Sequence, residues 1–174
     1  MKKRKILIEP DPILRKKCEP LEKVDDSLRK LMDEMLLTMY DAPGIGLAAI
    51  QVGILKRIVV IDISKEEEKK NPLFLINPQI IRKSKNTSIY EEGCLSLPGQ
   101  FAEIERPAEC ELKYIDYIGN EKILTANGLL ATCIQHEVDH LDGILFIDYL
   151  SKLKKDMIIK KLVKQKKEIE RIVV

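Results

Sequence analysis

The chain has 174 residues, of which 45% are hydrophobic and 33% charged, a composition that excludes a disordered segment and is typical of one soluble, folded domain. Only two histidines occur, which excludes any site that needs three. The formal net charge is +2, but residues 151–174 carry nine Lys or Arg and three Asp or Glu, so this end has a charge of +6 and the rest of the chain −4. The uneven distribution indicates a localised anionic partner rather than a protein that coats nucleic acid.

The N-terminus, Met-Lys-Lys-Arg-Lys, resembles the charged beginning of a signal peptide. The apolar run that follows covers only residues 6–8, whereas a signal peptide needs ~7–15 apolar residues. No stretch approaches the ~20 apolar residues that span a bilayer. We therefore expect a cytoplasmic protein without membrane contact. In that reducing compartment the four irregularly spaced cysteines are expected to be core thiols or metal ligands rather than disulfides.

The early part of the chain predicts two helical elements. Asp11 followed by Pro12 indicates a short helical turn, since Asp can cap its start and Pro suits its first position. A longer helix is predicted for residues 26–40, because six apolar residues recur there in steps of three and four and so share one face. These residues are Leu28, Leu31, Met32, Met35, Leu36 and Met39. The helix is expected to stop at residues 41–44, where a run of small residues begins.

The middle of the chain predicts strands and its end predicts helices. Apolar, β-branched or alternating stretches indicate strands at residues 57–63, 73–76, 79–83 and 110–117. A helix over residues 126–141 is expected to end at Gly143 in a left-handed conformation, and Ser151 can cap a final helix. One helix early, strands in the middle and one or two helices late favour the α+β class over an alternating βαβ fold.

His136 and His140 are four residues apart in the sequence His-Glu-Val-Asp-His. Residues at this spacing share one face of a helix, so both imidazoles can bind one ion. Glu137 lies near the edge of that face, where its carboxylate can act as a base without being a ligand. An exposed helix with an incidental His-Glu pair is the alternative, and we disfavour it because the pattern uses both histidines of the chain.

A catalytic divalent ion usually has three protein ligands and one open position. Glu168 and Glu170 are poor third ligands, because they lie in a lysine-rich segment where carboxylates pair with lysines at the surface. Cys94 is the strongest candidate. It lies between glycines and a proline, which allow the backbone to approach a ligand closely, and its thiolate suits Fe(II), Zn(II) or Co(II).

Three segments together resemble the peptide deformylase family. Residues 44–51 (GIGLAAIQ) match its first motif G-x-G-L-A-A-x-Q, residues 92–96 (EGCLS) match its second, and residues 135–143 (QHEVDHLDG) match its third, Q-H-E-x-D-H-L-x-G. All three occur in order, with no departure at a fixed position. The resemblance implies an α+β fold with antiparallel sheets around the helix that carries the histidines. It also implies removal of the formyl group from the N-terminal formylmethionine of newly made polypeptides.

The resemblance implies a role for each matching residue at the reaction centre. Cys94, His136 and His140 would bind one divalent metal ion, for which Fe(II) is favoured and Zn(II), Ni(II) or Co(II) are substitutes. Glu137 would be the general base that later protonates the leaving amine.

The resemblance also implies how the substrate is bound. The Gln51 side chain and the Leu95 backbone N–H would bind the formyl oxygen, and Gly46 would offer its backbone to the peptide. Catalysis would therefore depend on Glu137, Gln51 and Leu95.

Apolar residues at matching positions, Ile45, Leu129 and Cys133, would receive the methionine side chain. From the residues alone, ordinary core packing is the better interpretation of these three. Phe101 stands where some family members have an arginine near the peptide backbone, so a charged contact there is not expected. Tyr90 is expected to narrow the rim of the pocket.

Residues 1–150 are expected to form the catalytic core, and residues 151–174 a basic C-terminal helix of the same single domain. That helix is either a solvated amphipathic helix with a docked apolar side or a surface for the ribosome, and both interpretations stay open. Two other functions are considered for the chain: a metallopeptidase, and a ribosome-binding module without activity. The first motif and the complete set of catalytic residues argue against them.

Overall fold

The computed structural model describes residues 1–172; the last two residues of the predicted C-terminal segment, 173–174, lie outside this range. Its helices are α1 (Asp26–Asp41), α2 (Gly128–Leu141) and α3 (Lys152–Ile172). Its strands are β1 (Gly46–Ala48), β2 (Ile58–Ile61), β3 (Leu73–Lys83), β4 (Thr87–Cys94), β5 (Leu97–Pro107), β6 (Glu109–Ile115) and β7 (Glu121–Asn127).

The strands form two antiparallel sheets. One has five strands in the order β1-β2-β3-β6-β7, and the other is the hairpin β4–β5. The hairpin pairs from Thr87 opposite Pro107 to Cys94 opposite Leu97, with an irregularity just before Cys94. Helix α2 contacts strands of both sheets. The predicted α+β class, with antiparallel sheets around the histidine-bearing helix and a C-terminal helix, is confirmed.

Helix α2 occupies the centre of the fold, since ten of its fourteen residues are buried. It begins at Gly128, two residues later than predicted, because Ala126 still pairs with Cys110 in the sheet. Its C-terminal end is followed by Gly143 at φ 75°, the left-handed conformation that the sequence predicted. A Cβ at Gly143 would lie 2.4 Å from the backbone oxygen of Arg15, so only glycine fits there.

Strand β3 differs from its prediction. The two short strands expected on either side of residues 77–78 form one strand with a register shift between Ile76 and Gln79. Pro78 cannot donate to the sheet, and a bulge accommodates it. Asn77 has φ 50° at this bulge, and its side chain is hydrogen-bonded to the backbone N–H and oxygen of Leu21 at 2.8 and 2.7 Å.

The core has three parts. Helix α1 packs its predicted apolar face against the large sheet, where Met32, Met35 and Met39 are fully buried. The apolar side chains of α2 pack against the same sheet, and Cys18 and Cys110 are buried there as predicted. The third part joins α3 to the hairpin through its buried residues Leu97, Ile104, Leu145, Phe146, Ile147 and Leu162. Within residues 1–172, no helix is long and apolar enough to cross a membrane.

Candidate active site and metal centre

The three predicted metal ligands lie together. Cys94 ends β4, whereas His136 and His140 lie on α2, and the ligand atoms of the three are all within 4.8 Å of one another. The Cys94 Sγ is 3.2 Å from Nε2 of His140. One thiolate and two imidazoles at this spacing suit a divalent transition metal.

Charged side chains behind the ligands orient His136. Its Nδ1 is 2.9 Å from Oε1 of Glu92, so that an Nδ1–H donates to this carboxylate and leaves the Nε2 lone pair for a metal. Arg106 donates to both oxygens of Glu92, at 2.7 and 3.0 Å, and to Asp139 at 2.9 Å. Arg106 and Glu92 are both buried, so this pair is shielded from solvent.

The electrostatics of the two histidines fit a bound cation. Burial, and then the neighbouring His136, hold the pKa of His140 well below its usual range, so this imidazole is neutral, as a metal ligand must be. Burial alone would lower the pKa of His136, but hydrogen bonds with Cys94 and Glu92 outweigh it and raise this pKa. The site therefore favours positive charge beside Cys94, which a bound divalent ion would supply.

Glu137 faces the same space from α2. Burial raises the pKa of Glu137 to about 7, and its Oε2 is buried without a hydrogen-bond partner among residues 1–172. A Cβ at Gly46 would lie 2.4 Å from Glu137 Oε1. The lack of a side chain at this glycine of the first motif therefore leaves room for the carboxyl group. A carboxyl with a pKa near neutrality can both accept and return a proton, as a general base must.

Gln51 lies in the short helical turn Ala49–Val52 that follows β1. Its side-chain oxygen accepts from the Ala48 N–H at 2.9 Å, so the oxygen points away from the metal ligands. Its Nε2 donates to Cys94 Sγ at 3.4 Å and to Ser96 Oγ at 3.1 Å. Leu95 follows Cys94 directly at the end of the hairpin. The amide group of Gln51 thus faces the metal ligands with its donor side.

A cavity of about 430 Å³ opens beside these groups. Its wall includes the four predicted substrate-binding residues, which are Ile45, Gly46, Leu129 and Cys133. It also includes Gln51, Cys94, Leu95, His136 and Glu137. Burial raises the pKa of Cys133 well above its usual value, so this side chain is a neutral, apolar part of the wall. His140 is 1% exposed and lies behind the cavity.

Tyr90, which was expected to narrow the rim of the pocket, and Phe101 also line the cavity. Phe101 is 63% exposed, and its ring lies over Gly93, where a Cβ would be 2.6 Å from a ring carbon. The ring is therefore part of the outer rim.

Glu92, Arg106 and Asp139 had no expected role from the sequence alone. Glu92 and Asp139 stand at fixed positions of the second and third motifs, and this signal could have marked them as neighbours of the ligands. Arg106 lies outside all three motifs and has no signal of its own. Only the pairing of β4 with β5 brings it next to Glu92.

Comparisons with known proteins agree with this geometry. Residues 3–156 match the family model described as polypeptide deformylase. A peptide deformylase of Pelagibacter ubique is 64% identical over 166 residues, which cover 95% of this chain and 96% of that protein. One from Rhizobium meliloti is 56% identical over 162 residues, or 93% of each chain.

Solved structures show the same fold. A crystal structure of peptide deformylase from Ehrlichia chaffeensis superposes with a TM-score of 0.92 at 44% identity and covers 96% of this chain and 98% of that one. A second structure from that organism, in complex with actinonin, has a TM-score of 0.91 at 46% identity over 95% of this chain and 98% of that one. The family model and the relatives span nearly the whole chain, and this chain belongs to the polypeptide deformylase family.

Proposed function

We propose that the protein is a metal-dependent hydrolase that removes the formyl group from the N-terminal formylmethionine of newly made polypeptides and releases formate. One observation carries the proposal: the ligand atoms of Cys94, His136 and His140 lie within 4.8 Å of one another, beside a cavity whose wall includes the buried Glu137. Neither a peptidase nor an inactive ribosome-binding module is favoured, because Gln51, Cys94, Leu95, His136 and Glu137 line this one cavity and His140 lies directly behind it.

Cys94, His136 and His140 would hold one divalent ion. The bound ion supplies a Lewis acid that activates water and polarises the formyl carbonyl. We propose Fe(II), with Zn(II), Ni(II) or Co(II) as substitutes. A mixed thiolate and imidazole donor set supports any of these ions, and the likeness to the deformylase motifs favours iron.

Glu137 performs the proton transfers. Its carboxylate takes a proton from the attacking water and returns it to the departing nitrogen, so that a free amino terminus results. Burial, which raises the pKa of Glu137 to about 7, makes the group basic enough to accept this proton and acidic enough to release it.

Two donors stabilise the negative charge that develops on the formyl oxygen. These are the Nε2 amide of Gln51 and the backbone N–H of Leu95. The hydrogen bond from Ala48 to Gln51 fixes the amide so that its donor side faces the reacting group. Removal of such a donor costs on the order of 10²–10³ in rate.

The methionine side chain enters the apolar part of the cavity. Ile45, Leu129 and Cys133 line it, and their exposed fractions are 42%, 36% and 5%. The first two are exposed enough to lose solvent contact when a substrate binds, and this supports a substrate-binding role over simple core packing. Gly46 offers its backbone to the peptide beside them.

Formate release from formyl-Met-Ala tests the function. We expect activity from the metal-loaded protein and a loss of about 10²- to 10⁴-fold in Glu137→Gln, with metal content unchanged. Cys94→Ala is expected to lose both activity and bound metal, as measured by elemental analysis. Absence of formate from the metal-loaded wild-type protein would contradict the proposal. Full metal content in Cys94→Ala would contradict the ligand assignment.

The substrates are formylated nascent chains, and we propose that the protein meets them in the cytoplasm at the ribosome. Helix α3 buries Leu162, while Lys160 and Lys167 lie on its opposite side and are exposed. These lysines suit an anionic ribosomal surface.

Charge reversal tests the ribosome contact without removing α3. Lys160→Glu combined with Lys167→Glu is expected to lower co-sedimentation with ribosomes at low salt, and added salt is expected to weaken binding of the wild-type protein. The matched control reverses Lys83 and Lys85, which are exposed near the start of β4. Equal loss in both variants would indicate nonspecific attraction and contradict a specific contact through α3.

A further inference from the structure

A second depression lies next to the active-site cavity, between β5 and α3. Its volume is about 490 Å³. Phe101 and Glu103 of β5 line one side, and Lys154, Met157 and Lys161 of α3 line the other. We call it the α3 groove. None of the residues assigned to catalysis lines it.

The α3 groove adjoins the active-site cavity at Phe101. This residue lines both depressions, and its ring, which lies over Gly93, forms the ridge between them. A substrate that leaves the cavity over this part of the rim therefore passes directly into the α3 groove.

The chemistry of the groove suits a peptide. Phe101 and Met157 are 63% and 51% exposed, so they present apolar surface to solvent with no cover from residues 1–172. Lys154 and Lys161 lie one above the other on the same face of α3, since they are seven residues apart. Glu103 is the acidic residue on the opposite side. Apolar surface beside two ammonium groups attracts a chain that carries apolar and acidic side chains.

We propose that the α3 groove binds the downstream segment of the nascent polypeptide, beyond the residues held in the active-site cavity, and that it favours apolar and acidic side chains there. The inference rests on the proposed function. The substrate is a polymer, and only its first residues fit the cavity, so the remainder has to lie on the protein surface near the rim. The Phe101 ridge makes the α3 groove the adjoining surface with the right chemistry.

Three formylated peptides test the proposal. The first is formyl-Met-Ala. The second and third extend it by eight residues, which are apolar and acidic in one peptide and apolar and basic in the other. The wild-type protein is expected to show a higher kcat/KM for the acidic peptide than for the short one, mainly through a lower KM. The basic peptide is not expected to gain.

Charge reversal in the groove is expected to exchange this preference. In Lys154→Glu combined with Lys161→Glu, the ratio of kcat/KM for the acidic peptide to that for the basic peptide should fall about three- to tenfold, the size expected of two exposed ion pairs. Lys83→Glu combined with Lys85→Glu is the matched control, because it makes the same change in net charge at exposed residues outside the groove and should leave the ratio in place. An unchanged ratio in the double variant, or an equal fall in the control, would overturn the proposal.

A second variant tests the apolar part. Met157→Ser should lower kcat/KM for both long peptides relative to formyl-Met-Ala, and a melting curve shows whether it is folded. If Met157→Ser instead converts a dimer to a monomer in size-exclusion chromatography, the groove holds a second copy of this chain and the proposal is wrong. Absence of formate release from formyl-Met-Ala by the wild-type protein would overturn the proposed function itself, and this inference with it.

Discussion

Arg106 is the buried cation behind the metal ligands. It donates to Glu92 and Asp139, and Glu92 in turn accepts from His136. The Arg106 guanidinium also lies over the ring of Tyr149, with 4.8 Å from its carbon to the ring centre. The orientation of one metal ligand therefore depends on a residue that is outside the three motifs.

Replacement of Arg106 by Met is expected to be strongly destabilising. It leaves Glu92 buried without its charged partner, and loss of one member of a buried pair costs about 3–5 kcal/mol. Urea unfolding of the metal-free protein at pH 7 measures the change. Lys113→Met, which removes an exposed ion pair with Glu121, is the control and should cost at most about 1 kcal/mol. Equal losses of unfolding free energy in the two variants would show that the buried position of Arg106 adds nothing to the stability that its ion pair provides.

Gly46 leaves room for the carboxyl group of Glu137, the proposed general base. In Gly46→Ala the new Cβ would lie 2.4 Å from Glu137 Oε1, so the glutamate has to move. A displacement of this kind is expected to lower kcat for formyl-Met-Ala by about 10²-fold, with a smaller change in KM. Gly119→Ala, in the turn before β7, is strained by its φ of 104° but should keep full kcat. Full kcat in Gly46→Ala would contradict this account of Glu137.

At the scale of elements, the helices were easier to predict than the hairpin. Helix α1 has a clear signal because burial of one helix face requires apolar residues at steps of three and four. The end of α2 has one because the left-handed conformation after it favours glycine. The three-residue strand β1 was missed, as were the longer strands β4, β5 and β7. Their exposed and charged residues, such as Glu91 and Glu105, leave too little apolar alternation to mark a strand. Their pairing depends on neighbouring strands that a local pattern does not contain.

The proposed metal ligands were predicted from a different signal. Two histidines at helical spacing limited the choice of a third ligand and pointed to Cys94, and the resemblance of three motifs added Gln51 and Leu95. Arg106 could not be found this way, because its role exists only once β5 pairs with β4.

Asp62 joins the end of α1 to the segment after β2. Its carboxylate accepts hydrogen bonds from Tyr40, from the N–H and hydroxyl of Ser64 and from the Asn71 N–H. Burial alone would raise the pKa of Asp62, but these hydrogen bonds outweigh burial and hold the pKa below its usual range. Ionised Asp62 therefore stabilises the connection between the two elements.

This stabilisation has a defined pH dependence. Because the pKa of Asp62 is lowered in the folded state, its contribution to the free energy of unfolding is complete at neutral pH. The contribution is lost as the pH falls below about 4, the pKa of Asp in the unfolded chain. Asp62→Asn is thus expected to lower the free energy of unfolding most at pH 7, and the difference from the wild-type protein should shrink below about pH 4. Urea unfolding across pH 3–7 measures it, with the exposed Asp26→Asn as control. A difference that grows toward low pH would contradict the assignment.

At the scale of the whole molecule, the fold brings together residues that are far apart in the chain. Gln51 follows β1 in the large sheet, Cys94 ends the hairpin, and His136 lies on the helix between the two sheets. Neither sheet holds a complete site. The packing of α2 against both sheets brings the proposed metal ligands, the proposed base and the proposed oxygen-binding donors together at one cavity.

Helix α3 packs on the hairpin side of this arrangement, and its membership of the same single domain remains a prediction. Leu162 is 1% exposed and packs with Leu97 and Phe146 of the third core cluster, and Phe146 in turn stacks on His136 at 6.1 Å between ring centres. The apolar side of α3 is therefore connected to the metal site through one layer of side chains.

Leu162→Ala tests whether α3 is integral to the domain. The cavity left at a fully buried leucine is expected to cost about 2–5 kcal/mol of unfolding free energy. Unfolding should still occur in one transition, followed in parallel by circular dichroism and by loss of formate release. Leu153→Ala, at a side chain that is 72% exposed, should change stability by no more than about 0.5 kcal/mol. An early transition that removes helical signal while activity persists would show instead that α3 folds apart from the catalytic core.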